Sequence, residues 1–405
     1  MPISITQALD HIYAQTPIVD DEWIPIEASV GRVIAEDLVA KFDLPRFDNS
    51  AMDGYAVKCA DAGSCVPCNG TIFAGDTPSD TLTEGSAIKI MTGAPIPEGC
   101  DAIVPVEAIQ VDNDKIILPA DIKKDAFIRW AGEDIKSGTV FLEKGERVTA
   151  YTIAMLASQG MSHIKVKRKI RVAVFGTGDE LRPHFEHIEP HQLYNSNTPM
   201  FLARAKELGC ETQYIRSSKD TMSALKDAIH QALHADIIIT SGGISMGDKD
   251  FTKEAFGDLG MELVFEGVDI KPGKPTAFGK IGNTVIINLP GNPLASMVNY
   301  EIFVRAAIRK MSGLKAYYHR TITTPIHETL HLKKGKYTVK LGRFDGKLFS
   351  PVPLQMPGMV SPLQAADGMI IALPEIELLE KGSMVNMIPI WCELGSEEKE
   401  EIFTS

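Results

Sequence analysis

The sequence predicts a multidomain α/β chain. It has a three-layer α/β/α domain with a mostly parallel sheet, a β-rich domain inserted into a mixed N-terminal/linker domain, and a small C-terminal β-barrel or sandwich. Three observations predict this. Strands and helices alternate from residue 169 onward. Short apolar runs broken by Gly, Pro, Asn and Asp fill residues 55–130, between two segments of helical style. After about residue 318 the helices give way to a further series of strands. The 405 residues are too many for one typical core, so about two to four domains are expected.

Ser4 can cap the first helix and Gln7 completes a capping box. Ile5, Ala8, Leu9, Ile12 and Tyr13 form its apolar face. "GRVIAEDLVA" reads as a strand and "FDLPRFDNSAMDGYAV" as a Pro-containing loop. "GSAIKIM", "DAIVPVE" and "DKIILP" supply short strands, and "RWAGEDIKSGTV" is rich in turns. "TAYTIAMLASQG" reads as a helix between a Thr149 N-cap and a Gly160 stop. Residues 1–45 and 135–168 therefore read as one discontinuous domain, with 46–134 inserted. "KIRVAVF", "ETQYIRS", "DIIIT", "MELVFEGV" and "TVIINLP" are strands of the domain 169–317. Its helices include "TPMFLARAKELGC", "DTMSALKDAIHQALHA" and a long one from "NPLASMVNYEIFVRAAIRKM". There Asn292 suits the N-cap and Pro293 the first turn. "TITTPIHETL", "KYTVKLGRF", "KLFSPV", "GMIIALP" and "MVNMIPIW" fill the domain 318–405.

The net charge of −12 argues against a nucleic-acid partner, which requires a basic face. The basic run "KVKRKIR" alternates with Val166 and Ile170 and reads as a half-exposed strand. No apolar run approaches the ~20 residues of a membrane span. The N-terminus lacks the features of a signal peptide, so the expected compartment is the cytoplasm. "CVPC" (Cys65, Cys68) has no second ligand pair and reads as reduced thiols before a zinc site.

Ligands of an open parallel sheet bind beyond the carboxyl ends of its strands. Three Gly-rich stretches fall there: "GTGDEL", "SGGISMGDKDF" and "LPGNP". "GTGDEL" is no dinucleotide fingerprint, because Leu181 stands where a third Gly belongs, and no Walker A pattern exists. "KPGKP" offers Lys271 and Lys274 as an oxyanion clamp, and the helix at Pro293 offers free N–H groups. Each stretch alone has a plain reading as a turn or a cap; their shared edge lifts the set. Carboxylates crowd the same loops: Asp179, Glu180, Asp248, Asp250, and Asp220, which alone would read as an N-cap. The β-rich part adds Asp48, Asp53, Glu133 and Asp134, for which turn hydrogen bonding is the plain reading.

Taken together, "FDNSAMDGYAV", "IMTGAPIPEGCDAIVPVE", "AGEDIKSG", "GTGDEL", "YNSN", "SGGISMGDKDF", "KPGKPTAFG" and "LPGNP" resemble the MoeA-type molybdopterin molybdenumtransferases, which include the gephyrin E-domain. The resemblance covers residues 42–293 in the family's order. It implies that the α/β domain binds molybdopterin, that the N-terminal/linker domain is elongated, and that the chain inserts molybdate into adenylylated molybdopterin with release of AMP. It also implies Mg²⁺, an elongated homodimer, and contact with a MogA-type adenylyltransferase. In that family the active-site cleft lies between the α/β domain of one subunit and the β-rich domain of the other. By the same resemblance Asp53, Thr92, Asp134, Glu180, Asp220 and Asp250 are active-site positions. Gly176, Thr177, Gly178, Ser241, Gly242, Gly243, Ser245, Lys271, Lys274, Pro290, Gly291 and Asn292 contact pterin, phosphate or molybdate. Gly176, Arg46 and Cys100 depart from the usual pattern, at positions where Pro or Ser, Pro, and a small residue are commoner.

Acidic loops suit an anionic ligand only through a cation. A carboxylate 4 Å from one unit charge costs about 4 kcal/mol at an effective dielectric near 20. Mg²⁺ takes carboxylate and phosphate oxygens together, so Glu180, Asp250 and Asp179 are the expected metal ligands. A non-catalytic scaffold would be marked by loss of site carboxylates, and none is lost. A generic pterin- or nucleotide-binding enzyme would lack the motifs of residues 47–134.

Overall fold

The computed structural model describes residues 2–77, 81–112, 114–178, 180–216, 221–242 and 251–391. The chain divides into two compact units. One comprises Met1–Ala35, Gly145–Ala150 and His163–Ser405, the other Glu36–Lys144 and Tyr151–Ser162.

Helix α1 (Ile5–Gln15) opens the first unit. Its capping box forms: Gln7 N donates to Ser4 Oγ at 3.1 Å and Ser4 N to Gln7 Oε1 at 2.9 Å. Ile5, Ala8 and Ile12 bury its apolar face.

The second unit is built on six strands in the order Ala102–Pro105, Gly54–Val57, Ala87–Ile90, Cys65–Ile72, Lys115–Ile117, Gln110–Asp112. Gly54–Val57 is buried throughout because both its faces are covered. Ala56 packs with Ile88, Ile90 and Ile103, whereas Tyr55 and Val57 pack with Val66 and Val104. A Cβ on Gly54 would lie 2.3 Å from the Val104 carbonyl oxygen, so only Gly permits this approach. Helix α2 (Ala150–Ser158) stops at Gly160, which adopts φ +63°. Beside it the buried Gln159 accepts from Lys41 N at 2.7 Å and Phe42 N at 3.0 Å. Of "GRVIAEDLVA" only Leu38–Val39 is regular strand, paired with Val140–Leu142. The boundary between the units falls inside this stretch, after Ala35, so it cannot remain in one ladder.

The α/β sheet of the first unit contains β1 (Arg171–Gly176), β2 (Glu211–Tyr214), β3 (Ile237–Ser241), β4 (Glu262–Glu266), β5 (Ala277–Ile281) and β6 (Thr284–Leu289). Their order is β2-β1-β3-β6-β5-β4. The first four in that order run parallel; β5 runs antiparallel to β6, and β4, antiparallel to β5, runs with the other four, so β5 alone makes the sheet mixed. The run "KVKRKIR" proves to be the end of one strand, His163–Lys167, and the start of β1.

Successive residues of the central strands feed opposite layers. Val172, Val174, Ile237, Ile239, Val285 and Ile287 pack with α1, α3 (Asn197–Glu207) and α6 (Pro293–Asn299). Ala173, Phe175, Ile238 and Ile286 pack with α4 (Met222–Ala232) and α5 (Phe251–Asp258). Each fully buried Ile or Phe contributes about 2 kcal/mol relative to exposure. Beyond α6 the helix passes through a π turn, Tyr300–Val304, into α7 (Arg305–Met311). A further sheet joins Ile270–Lys271, Tyr337–Phe344, Gly368–Ala372, Met384–Pro389 and Ile322–Pro325 in that order, with Phe349–Pro351 on the second strand.

Candidate functional site

The carboxyl ends of β1, β3 and β6 open into a cleft of about 1070 Å³. Thr177, Gly178, Glu180, Ser241, Gly242, Lys274, Pro290, Gly291 and Asn292 line it, so one sheet edge gathers most of the expected α/β residues.

Backbone geometry draws these loops together. Thr177 N donates to Ser241 O at 3.1 Å and Gly242 N to Leu289 O at 3.2 Å, extending the ladder beyond the strands. Gly242 has φ +91°, and a Cβ there would lie 2.8 Å from Thr177 O. Gly176 is buried, and a Cβ on it would lie 2.8 Å from Asn195 Nδ2. The departure at Gly176 thus makes room for the Asn195 side chain.

Asn195 and Asn197 of "YNSN" hold the wall, and neither was singled out from the sequence. Asn197 Nδ2 donates to Ser241 Oγ and to Gly291 O, both at 2.7 Å, tying α3 to the end of β3 and to the loop after β6. Asn195 Nδ2 donates to Thr198 Oγ1 at 3.0 Å, and Thr198 N returns a bond to Asn195 Oδ1 at 3.0 Å. The available signal was a pair of Asn residues at a strand-to-helix junction inside a matched motif. Thr177 Oγ1 and Asn197 Oδ1 are buried without a partner among the described residues, so this wall carries unmet hydrogen-bonding demand.

The start of α6 differs from expectation. Asn292 occupies the N-cap with Pro293 next, but its side chain makes no cap bond. Leu294 N and Ala295 N both donate to Pro357 O, at 3.0 and 3.4 Å. A carbonyl from another segment takes the donors, so this helix end is not a free anion cradle. Lys274 is exposed on the cleft wall. Lys271 lies instead on the strand Ile270–Lys271, paired with Tyr337 and Thr338. There burial, and after it the charge of Lys271, push the Lys340 pKa down.

In the second unit Asp53 and Thr92 meet. Asp53 Oδ1 accepts from Thr92 N at 2.7 Å and Thr92 Oγ1 at 2.8 Å. The backbone bond, then the hydroxyl bond, hold the exposed Asp53 carboxyl below its usual range. Asp134 is exposed, and its backbone N donates to Leu44 O at 2.9 Å. The local-turn reading of Asp48 gives way to a long-range bond from Ala131 N at 2.8 Å, whereas Glu133 stays local, accepting from Trp130 N at 3.0 Å. Asp179, Asp220, Gly243, Ser245, Asp248 and Asp250 lie outside the described residues. The N-cap of α4 is Thr221, whose hydroxyl accepts from Ala224 N at 3.4 Å, in place of Asp220.

Glu180 decides whether a cation fits. Its carboxylate folds over Gly178, where a Cβ would lie 2.7 and 2.8 Å from the two oxygens. It is exposed on the cleft wall and makes no ion pair among the described residues. The described residues hold no cluster of three ligand-type side chains. One hard carboxylate on the cleft wall, without an ion-pair partner among the described residues, fits Mg²⁺, which binds through one or two carboxylates plus substrate phosphates.

Comparison with known proteins agrees with this architecture. Residues 3–160 match the MoeA N-terminal region (domain I and II), and residues 173–310 match a probable molybdopterin binding domain. The chain is 35% identical over 348 residues to the molybdopterin molybdenumtransferase of Haemophilus influenzae, covering 85% of this chain and 84% of that one. It is 31% identical over 402 residues to the enzyme of the same name from Staphylococcus epidermidis, covering 96% and 95%. A molybdopterin biosynthesis MoeA protein from Pyrococcus horikoshii has a similar solved structure, with TM-score 0.85, 28% identity, and coverage of 96% and 99%. With two contiguous domains matched and relatives aligned along most of their length, the chain belongs to the MoeA family of molybdopterin molybdenumtransferases, which act in molybdenum cofactor biosynthesis.

Proposed function

We propose that this chain inserts molybdate into the dithiolene of adenylylated molybdopterin, releases AMP, and requires Mg²⁺. The observation that carries the reading is the cleft at the carboxyl edge of β1, β3 and β6, with Glu180 and Lys274 on a Gly-rich wall. Such a wall brings backbone close to a polar ligand, and Lys274 offsets phosphate or molybdate charge. Mg²⁺, when bound, offsets pyrophosphate charge and polarises the phosphoryl link. Glu180 would hold it, together with Asp250 and Asp179. As two Mo–S bonds form and one Mo–O bond breaks, the two dithiol protons pass to the departing oxygen, which leaves as water. Asp53, kept ionised by Thr92, relays a thiol proton to that oxygen, and Thr92 and Asp134 orient the anion. Asp220, Gly243 and Ser245 belong to the same set. The working assembly is a cytoplasmic homodimer that receives its substrate from a MogA-type adenylyltransferase. Its layout is that of the domains 1–45 with 135–168, 46–134, 169–317 and a barrel at 318–405.

The test is product formation by Asp53→Ala and Glu180→Ala at limiting molybdate and Mg²⁺, with circular dichroism as the folding control. Each variant should lose at least tenfold in rate, about 1.4 kcal/mol of barrier, while keeping the wild-type spectrum. Wild-type turnover in both would refute the assignment.

A further inference from the structure

A second concavity of the first unit has the opposite character to the acidic loops. Its volume is about 40 Å³. Five of its twelve lining residues are Arg or Lys and none is Asp or Glu, in a chain of net charge −12. The five are Arg32, Arg147, Lys167, Arg168 and Lys169. Three have carboxylate partners outside the lining. Arg32 pairs with Glu22, Lys167 with Asp21 at 2.5 Å, and Arg168 with Asp236 at 2.7 Å. Arg168 also lies 3.8 Å from Asp20.

Arg147 and Lys169 are exposed and have no carboxylate partner among the described residues. The described bond from Arg147 Nη1 goes to Gly31 O at 2.6 Å, which satisfies a donor without neutralising charge. Loss of hydration, and after it the neighbouring Arg309, lower the Arg147 pKa. Arg309 itself donates to the carbonyls of Tyr317 and Ala316 and has no carboxylate partner among the described residues. Like charges gathered in a cavity without carboxylates among its lining repel one another, so crowding of this kind favours a bound counter-charge.

Size and chemistry narrow the ligand. A water needs roughly 10–15 Å³ of such space, so the cavity accommodates about three waters or one small anion. Guanidinium groups match the oxygen spacing of tetrahedral oxyanions. We propose that this concavity is a binding site for a small inorganic oxyanion, separate from the cleft, with Arg147 and Lys169 as its uncompensated contacts. Sulfate, phosphate and molybdate share the required chemistry. The site is independent of the proposed transfer reaction and of Lys274.

Thermal unfolding of the full chain tests it, with sulfate, phosphate or molybdate titrated against chloride at equal ionic strength. Wild type should show a saturable rise in Tm of about 2–4 °C with at least one oxyanion beyond chloride. The rise should be lost in Arg147→Gln and in Lys169→Gln, and kept in Lys274→Gln. Lys169→Gln covers the case in which loss of the Arg147–Gly31 bond impairs folding. The three salts identify which oxyanion the site prefers. No rise beyond chloride, an undiminished rise in Lys169→Gln, or loss of the rise in Lys274→Gln overturns the proposal.

Discussion

Thr92 gives Asp53 two hydrogen bonds from one residue, and both favour the ionised carboxylate. Thr92→Val removes the hydroxyl donor and keeps the backbone one. The Asp53 pKa should therefore rise toward the usual carboxylate range, and the acid limb of the activity profile should move to higher pH. Carboxyl-carbon NMR titration reads the first effect directly; an unchanged Asp53 value contradicts this account of its ionisation. Both residues were legible in the sequence, through "MDGY" and "MTGAP", but their pairing was not. It arises because Gly54 stands opposite Ile90 in an antiparallel register, which brings the residues just beyond each into reach. A partner 39 residues away is set by strand pairing and by nothing local.

Elements with strong local signals were read well. The capping box of α1, the Gly160 stop and the alternating apolar strands of the α/β sheet all depend on near neighbours. Strand β5 was not read, although Gly282 and Asn283 between Ile281 and Thr284 form the kind of two-residue hairpin turn that marks such a pair. The π turn at Tyr300–Val304 had no sequence signal either. Its Ile302 carbonyl accepts from His319 Nε2 at 2.7 Å, while Arg305 Nη2 donates to His319 Nδ1 at 3.3 Å. Burial, and then the charges of Arg305 and Arg309, push the His319 pKa from 6.5 down to about 4. Between those values the unfolded chain binds a proton that the folded chain refuses. Stability is thus complete above pH 6.5 and declines as pH falls toward 4, by at most about 3 kcal/mol from this group. Urea unfolding of wild type and His319→Gln across pH 4–7 should show a smaller decline in the variant. Equal declines would remove His319 as the cause.

On the scale of the whole molecule, one buried carboxylate joins elements far apart in sequence. Glu301 is fully buried; it accepts from Arg204 of α3 at 2.6 Å and Arg305 of α7 at 2.8 Å. The same two guanidiniums donate to Ile390 O and Pro389 O, at 2.8 and 2.7 Å, at the end of the last strand. Glu301→Ala leaves the buried Arg305 without its counter-charge and Arg204 with Glu207 alone, and should lower unfolding free energy by about 3–5 kcal/mol. Denaturant titration checks this, and a loss below ~1 kcal/mol would show that the network is dispensable. None of this was visible in the sequence, where Glu301 is simply a charged residue within a long helical run. The cleft itself was visible as a shared strand edge, because parallel topology places the loop ends of β1, β3 and β6 together. The bonds of Asn197 across the wall and the occupied start of α6 were not, because they depend on contacts across 44 residues or more.

The central proposal is that negatively charged substrates enter the Gly-lined cleft that holds Glu180 only when a divalent cation offsets the charges. AMP release from adenylylated molybdopterin, with molybdate and Mg²⁺ varied independently, measures it most directly. The account predicts release only when both are present, and little release with either alone. Full release in the absence of Mg²⁺, or without molybdate, would contradict it.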